Sequence, residues 1–426
     1  MTEPPADLVI GGFSDHPPWI IEIDQLTWLD GNAQRRADTR ALVPELTRRR
    51  RLPPSGRVLK VGARLGLAVG GWFLLEKRRG PTTSRSGIAI RLRRAFERLG
   101  PTYIKLGQII SSGEGIFPEE LVAQFRLLRD KVPPETWETV RTVVEEDLGQ
   151  PLTSVFVEFD RTPIAAASIA QVHRARLHTG EEVVVKVQRP QVSELVTQDL
   201  KAMSWIAPAL VGRIPVAALA NPPALVELFA ETIVEELDFR LEAENMLDIA
   251  RVLAETGQRA LIVPRPHPAL VTKRVLVMER LSGFGWDDVA GMKAAGVDTE
   301  AVVRGGLIAF LEGAILYGVF HGDLHGGNLF VQPDNRVALL DFGITGRLDE
   351  KRRQAFLRLM MGGTVNDLTM QMEALRDLGA LPPDTDVQAV IKDLGFDRPV
   401  KDPTQMTADE LMVEMRELAK ALLGYG

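Results

Sequence analysis

Three polar side chains in one short stretch, His321 to Gly343 (HGDLHGGNLFVQPDNRVALLDFG), have the types and spacing for phosphoryl chemistry: Asp323, Asn328 and Asp341. Asn328 follows Asp323 by five positions and Asp341 follows Asn328 by thirteen. Between them, LFVQ and VALL read as short β runs joined by the turn formers Pro333, Asp334 and Asn335. A hairpin of that length brings Asp341 back toward Asp323 and Asn328. Three oxygen ligands would then converge where Mg²⁺ can bridge nucleotide phosphates, and Gly343 would let the backbone turn away after the strand. The competing reading is a surface hairpin with scattered polar residues.

Other elements must position these groups. The period changes from helical to two at VFVEFD, QVHRARL and EEVVVKVQ, three strands of a small antiparallel sheet, the last two joined through His178, Thr179 and Gly180. Residues 261 to 281 add two strands, giving five. The loop after the first strand carries Ala165, Ala166, Ala167 and Ser168, which allow close approach of backbone amides but disfavour positive φ, so the loop should be stiff. Lys186 stands among Val183, Val184, Val185 and Val187, where a buried ammonium needs a phosphate or carboxylate partner.

Two helical stretches bear on that partner. ETIVEELDFRLEAENM reads as one helix crowded with Glu235, Glu236, Asp238, Glu242 and Glu244, and Asp238 and Glu242, four apart, repel unless cations intervene. Lys186 and Lys105 are the candidate cations, with a solvated acidic face as the alternative. PTYIKLGQIISS opens at Pro101 after Gly100 and places Lys105 and Gln108 on one face, with Gly107 leaving room for a close neighbour. Spacing alone favours the other reading, an amphipathic helix with a solvated lysine and a packing glycine.

Composition narrows the class. The 426 residues, 45% hydrophobic and 25% charged, suit a globular protein of two or three units. There is no cysteine, which excludes disulfides, thiol catalysis and Cys-based metal centres, and the six histidines show no HExxH spacing. The start, MTEPPADLVIGGF, is unlike the basic leader of a secretory signal, so a cytoplasmic setting is expected. The net charge of −6 hides a local excess of about +14 between Arg35 and Arg98, which implies an anionic partner.

That basic region encloses an apolar stretch, VLKVGARLGLAVGGWFLLEKRR, whose charge-free run from Leu65 to Leu75 is shorter than the roughly 20 residues a spanning helix needs. It reads as a membrane-interface helix with Trp72 and Phe73 down and bases on anionic headgroups, or as a buried helix. A nucleic-acid partner is disfavoured, because no aromatics interleave the bases.

Elsewhere, residues 1 to 34 show no sustained period, although Trp19 and Trp28 argue that part of the arm docks. Ile88 to Leu99 and two stretches within 116 to 150 read as helices. Gln191 to Leu253 is mostly helical, with breaks expected at Pro208, Pro215 and Pro222, and a further helix runs from Glu300 to Phe320. After Gly346 four more helices are expected, the last being ADELMVEMRELAKALLGYG, and no Ala-Pro-Glu follows Asp341.

Together, KLGQ (105–108), AAAS (165–168), VVVKVQRP (183–190), EELDFRLEA (235–243), HGDLHGGN and DFG resemble the UbiB family of atypical kinases, over roughly residues 90 to 350. The resemblance implies an α+β, bilobal, protein-kinase-like fold. Residues 1–87 would be an extension with the membrane-interface segment. Residues 88–281 would form an N-lobe with a five-stranded antiparallel sheet and added KxGQ helices, and residues 282–426 a mostly helical C-lobe. It implies ATP or ADP with Mg²⁺ as cofactors. Lys186 would contact the phosphates and pair with Glu242, Asn328 and Asp341 would hold the metal, and Asp323 would be the catalytic-loop acid. Ala165 to Ser168 would cover the phosphates, and Met278, Glu279 and Arg280 resemble a hinge facing adenine. Lys105, Gly107 and Gln108 would fold over the site against Glu236 and Asp238, with a regulatory effect.

The family's association with ATP hydrolysis and isoprenoid quinone metabolism implies an anionic membrane surface and an isoprenoid-type lipid as partners, with the protein peripheral on the inner face of the membrane. Gly322, Leu324 and Gly326 depart from the family's His-Ala-Asp-Pro-His-Pro-Gly-Asn pattern and look like aminoglycoside or choline phosphotransferases. Ile169-Ala170-Gln171 replaces the usual Ile-Gly-Gln, which leaves the nucleotide preference open. The chain ends at ALLGYG without the hydrophobic anchor of many relatives, as a soluble branch or a trimmed chain would. A small-molecule phosphotransferase and a low-turnover nucleotide-binding scaffold are the alternative functions.

Overall fold

The computed structural model describes residues 13–14, 19, 22–50, 52–54, 56–78, 80–113, 117–128, 133–210, 221–381 and 384–393. The chain forms two compact units, each assembled from three separated stretches. Unit one comprises Met1–Leu42, Pro133–Ser193 and Glu231–Asp349; unit two comprises Val43–Val132, Glu194–Ala230 and Glu350–Gly426.

Unit one holds all the strands among the described residues. Its larger sheet has the antiparallel order β1 (Phe156–Phe159), β3 (Ala170–Leu177), β4 (Glu182–Gln188), β7 (Val275–Glu279), β6 (Pro266–Val271), and the short β2 (Ala165–Ala166) pairs with β3. The five expected strands form this path, and the alanine loop supplies the sixth. Period two along β4 divides its residues between the two faces. Val183, Val185 and Val187 join Val275 and Val277 in an apolar core with Val140, Val143 and Val144 of the helix Trp137–Leu148. Lys186 therefore projects from the other face, over the ring of Phe239 at 5.4 Å. Both faces of β4 are covered, which is why valines stand on both sides of Lys186 along it.

The second sheet has the order β5 (Leu261–Ile262), β11 (Val337–Leu339), β10 (Leu329–Val331), β8 (Phe284–Gly285). Leu261 and Ile262 fall in the stretch expected to complete the N-terminal sheet, yet they pair in parallel with β11 instead. The β10–β11 hairpin is in register from Leu329↔Leu339 to Val331↔Val337, with Asn335 at φ 69° in its turn, a conformation asparagine tolerates. A two-stranded ladder of β9 (Val319–His321) and β12 (Thr345–Arg347) closes the stretch at His321↔Thr345.

Part of the N-terminal arm docks on β6, as its tryptophans suggested. The Trp19 and Trp28 indoles donate to the carbonyls of Pro266 and His267 at 3.0 and 3.1 Å.

Several helices differ from expectation. The acidic stretch is two helices: one ends at Glu235, and Asp238 caps the next, Phe239–Glu255, by accepting the Arg240 N–H. An aspartate before a helix is stabilised by that free amide, which interrupts the run. Pro208 lies inside the helix Val192–Leu210, Pro222 opens the helix Pro222–Glu235, and Pro215 lies outside the described residues. The helix Pro81–Leu99 begins seven residues before Ile88. Glu300 to Phe320 resolves into the helix Thr299–Glu312, a π turn Gly313–Tyr317 and β9. After Gly346 come Glu350–Thr364, Leu368–Leu378 and Val387–Asp393; the expected helix 408–426 lies outside the described residues.

In unit two the apolar segment is one helix of 20 residues, Gly56–Leu75, long and apolar enough by length and composition to cross a membrane. Its charge-free run was too short because Lys60 and Arg64 fall within the first half. Arg57 ties this helix to its neighbours: it meets buried Asp199 at 2.5 Å and donates to the Leu99 carbonyl at 2.5 Å, next to the start of Pro101–Ser112. In that last helix a Cβ on Gly107 would lie 2.2 Å from Leu128 and 3.4 Å from Phe96 and Phe125, so glycine is what permits the packing.

Candidate active site

Lys186 finds the carboxylate its valine surroundings demanded. Its Nζ lies 2.6 Å from Glu242 Oε1 on the helix Phe239–Glu255 and 3.2 Å from Asp341 Oδ1 after the hairpin. Burial opposes the Lys186 ammonium, but the two carboxylates, Asp341 and Glu242, outweigh it and raise its pKa. Burial pushes the Glu242 carboxyl up to about 7 against the opposing pull of Lys186, and the Asp341 charge adds to the rise. Lys186 is thus held between two carboxylates.

The hairpin assembles the rest. The Leu340 N–H donates to the Asn328 carbonyl at 3.0 Å, which sets Asn328 beside the strand end bearing Asp341. Asn328 Nδ2 donates to the main-chain carbonyl of Asp323 at 3.2 Å, and the Gly343 N–H donates to Asp341 Oδ1 at 3.1 Å. The Asp323 carboxylate lies 3.9 Å from His325 Nε2. The hairpin thus joins Asn328 to the Asp323 carbonyl through its side chain and to Leu340 through its backbone, while the Asp341 carboxylate meets Lys186 and the Gly343 N–H.

Of the acidic residues, Glu242 pairs with Lys186, while Asp238 pairs with Arg240 at 2.6 Å. The chain turns at Asp238, so the two do not share a helical face. Glu236 is buried beside the DFG glycine, its Cγ 3.2 Å from where a Cβ on Gly343 would stand. Gln188 Nε2, donating to the Leu237 carbonyl at 3.1 Å, holds this linker against β4. In unit two, Lys105 and Gly107 are buried and Gln108 is half-buried.

The alanine loop is stapled from below. Ala165 and Ala166 pair with Val172 and Gln171, the Ala167 N–H donates to the Ala170 carbonyl at 2.8 Å, and Ser168 is buried. Arg189 donates from Nε to the Ala167 carbonyl at 3.0 Å and from its N–H to Ile169 at 2.9 Å. Met278 and Glu279 are buried in β7, where the Glu279 N–H is used by the Arg265 carbonyl at 2.8 Å and the Arg280 N–H by Glu182 at 3.4 Å. The stretch likened to a hinge therefore offers an adenine edge neither of these amides.

His321 and Arg189 were missed by reasoning from the sequence. The His321 imidazole is buried, which lowers its pKa; it accepts the Asp323 N–H at Nδ1 (3.1 Å) and donates from Nε2 to the Asp341 carbonyl. It thereby ties the loop at Asp323 to the strand end that bears Asp341. Its place two residues before Asp323 was the available signal, but its carbonyl partner lies 20 residues on.

Among the described residues no three His, Cys, Asp or Glu gather as a metal cage. Mg²⁺ in phosphate-handling sites takes one or two protein carboxylates and completes its octahedron with water and phosphate oxygens. Asn328 and Asp341, an amide oxygen and a carboxylate, fit that demand.

The model of the ABC1 atypical kinase-like domain matches residues 127–375. The chain belongs to the ABC1 atypical kinase-like family. Its kinase-like α+β architecture agrees with that assignment. Among its relatives, this ABC1 chain is 41% identical over 277 residues to the uncharacterized protein Rv0647c of Mycobacterium tuberculosis, covering 65% of this chain and 56% of that protein. It is 35% identical over 320 residues to "Probable protein kinase UbiB" of Aeromonas salmonicida, covering 74% and 58%. It is 35% identical over 304 residues to the chloroplastic "Protein ACTIVITY OF BC1 COMPLEX KINASE 1" of Arabidopsis thaliana, covering 71% and 44%. The chain thus spans about half the length of these relatives. A solved structure, the Mycobacterium tuberculosis Rv3197–erythromycin complex, is similar at TM-score 0.45 and 23% identity, covering 74% of this chain and 86% of that one.

Two glycines of the HGDLHGGN loop are closely enclosed. A Cβ on Gly322 would stand 2.6 Å from Ile344 Cγ2, and one on Gly326 would stand 2.9 Å from Trp286 Cδ1. Larger residues at either position require Ile344 or Trp286 to move.

Proposed function

We propose that this chain binds Mg²⁺ with ATP or ADP between Lys186 and the Asn328–Asp341 pair, and acts as an atypical kinase or ATPase in isoprenoid lipid or quinone metabolism at a membrane. The observation that carries the reading is the buried Lys186 ammonium held by Glu242 at 2.6 Å and Asp341 at 3.2 Å. When bound, the metal neutralises phosphate charge. Lys186 orients the phosphates, Glu242 holds Lys186, the stapled alanine loop covers the nucleotide, and Asn328 and Asp341 are the metal ligands.

The helix Gly56–Leu75 supports the membrane part. Leu59, Leu67, Phe73, Leu74 and Leu75 are exposed on it, and basic runs flank it in sequence. A cytoplasmic protein peripheral on the inner face of the membrane is the arrangement this suggests. The glycine-bearing HGDLHGGN loop favours a second reading, a phosphotransferase for small hydroxylated molecules.

Mg-ATP turnover, measured with and without anionic liposomes and with Asp341→Asn as baseline, tests the function. The membrane-linked enzyme predicts turnover above that baseline and stimulation by liposomes. Stimulation by small hydroxylated acceptors instead would favour the phosphotransferase. Turnover equal to Asp341→Asn under every condition would overturn both and leave the nucleotide-binding scaffold.

A further inference from the structure

The helix that supplies Glu242 carries, three residues on, a buried amide to which the nucleotide reading gives no role. Asn245 is 3% exposed and bonds three separate parts of unit one. Its Nδ2 donates to the Phe342 carbonyl at 2.8 Å. Its Oδ1 accepts from Arg347 Nη2 at 2.9 Å, at the end of β12, and from Arg36 Nη2 at 3.2 Å, on the helix Asn32–Leu46. Both guanidinium groups are themselves anchored. Arg347 pairs with Asp248 at 2.6 Å; Arg36 pairs with Glu235 at 2.8 Å and Glu244 at 2.7 Å.

The chemistry leaves this amide one orientation. Guanidinium groups only donate and a carbonyl only accepts, so two arginines on the oxygen force the NH₂ toward Phe342. The consequence falls on Asp341. Its own carbonyl is held by His321 and the following carbonyl by Asn245, so two successive peptide units are fixed and the Asp341 carboxylate is aimed at Lys186. Asn245 and Glu242 are one turn apart on the same helix, so a single rigid element sets both the lysine partner and the metal-ligand backbone.

We infer that Asn245 is a positioning residue for the metal site, holding the Asp341–Phe342 backbone in the register in which Asp341 can take Mg²⁺, and that Arg36 and Arg347 set its amide for that task. The inference rests on the Mg–nucleotide reading of the site. The N-terminal helix thereby acts on the metal site through Arg36.

The test is a calorimetric titration of ADP at stepped Mg²⁺ concentrations, repeated in EDTA, on the whole chain. Asn245→Asp keeps the size and the acceptor for both arginines but turns an oxygen toward the Phe342 carbonyl. About tenfold more Mg²⁺ should then be needed for half of the metal-dependent gain in affinity, the worth of one hydrogen bond, with under about twofold change in EDTA. Arg36→Gln, remote from the site, should need about threefold more Mg²⁺, and keeps the question open to test if Asn245→Asp fails to fold. Faster amide exchange over residues 341–345 in both variants is the accompanying structural readout. Mg²⁺ titrations superimposable on the unsubstituted chain, or losses equal with and without Mg²⁺, overturn the role of Asn245. An unsubstituted chain whose ADP affinity ignores Mg²⁺ overturns the metal–nucleotide reading itself, and this inference with it.

Discussion

Lys186 Nζ lies 2.6 Å from Glu242 Oε1, joining a strand to a helix 56 positions away with both groups buried. The pair is asymmetric. Glu242 can become neutral by taking a proton, whereas the Lys186 ammonium without carboxylates has no comparable relief near neutral pH. Lys186→Met should therefore be tolerated at pH 6, within about 1 kcal/mol by urea unfolding, while weakening nucleotide binding by about tenfold or more. Unchanged nucleotide affinity in that variant would remove Lys186 from the phosphate site.

The same pair sets a pH dependence. The folded Glu242 carboxyl, pushed up to about 7 from an ordinary 4.5, binds its proton more tightly than the unfolded chain does. Its contribution to stability is present in full below 4.5 and is lost as pH rises through about 7. Lys186, raised from 10.5, keeps its contribution across that window. Urea unfolding from pH 5 to 8 should show stability falling more steeply in the unsubstituted chain than in Glu242→Gln. Parallel curves would contradict the raised carboxyl.

Asp341→Asn retains an oxygen for the Gly343 N–H, now at 3.1 Å, but removes the charge facing Lys186. The expectation is a loss of about hundredfold or more in Mg-dependent turnover with a melting temperature shifted by only a few degrees. Full activity in this variant would place the metal elsewhere.

Gly322→Ala should disturb the catalytic loop, because the new methyl would stand 2.6 Å from Ile344 Cγ2. A cost of about 1–3 kcal/mol is expected, partly restored in the double variant with Ile344→Ala. Additive costs in that double-mutant cycle would show that the two side chains do not compete for space.

Leu67 and Leu74 are exposed on the helix Gly56–Leu75, at 71% and 81%. Changing both to Gln should leave the melting temperature within about two degrees and weaken co-sedimentation with anionic liposomes by about tenfold. Undiminished liposome binding would take the membrane role from this helix.

What could be read from sequence was local. Pro333 to Asn335 between two β runs specifies a hairpin because turn formers and period-two apolar residues act over a few positions, and the hairpin formed in that place. The valines around Lys186 demanded an anion because burying an ammonium is costly wherever it occurs. Only the tertiary structure decided which anion. Five acids crowd Glu235 to Glu244, and the turn at Asp238 directs Glu242 to Lys186 while leaving Asp238 to Arg240. The transfer of Leu261 and Ile262 to the second sheet, and the clamping of two successive carbonyls by His321 and Asn245, likewise depend on surfaces meeting across tens to a hundred residues. Periodicity and solvation cost are properties of each residue in its own neighbourhood, so the sequence alone determined a lysine in need of carboxylates and an acid at the end of a hairpin. Partner choice is a property of how distant elements pack, and packing aimed that acid at that lysine.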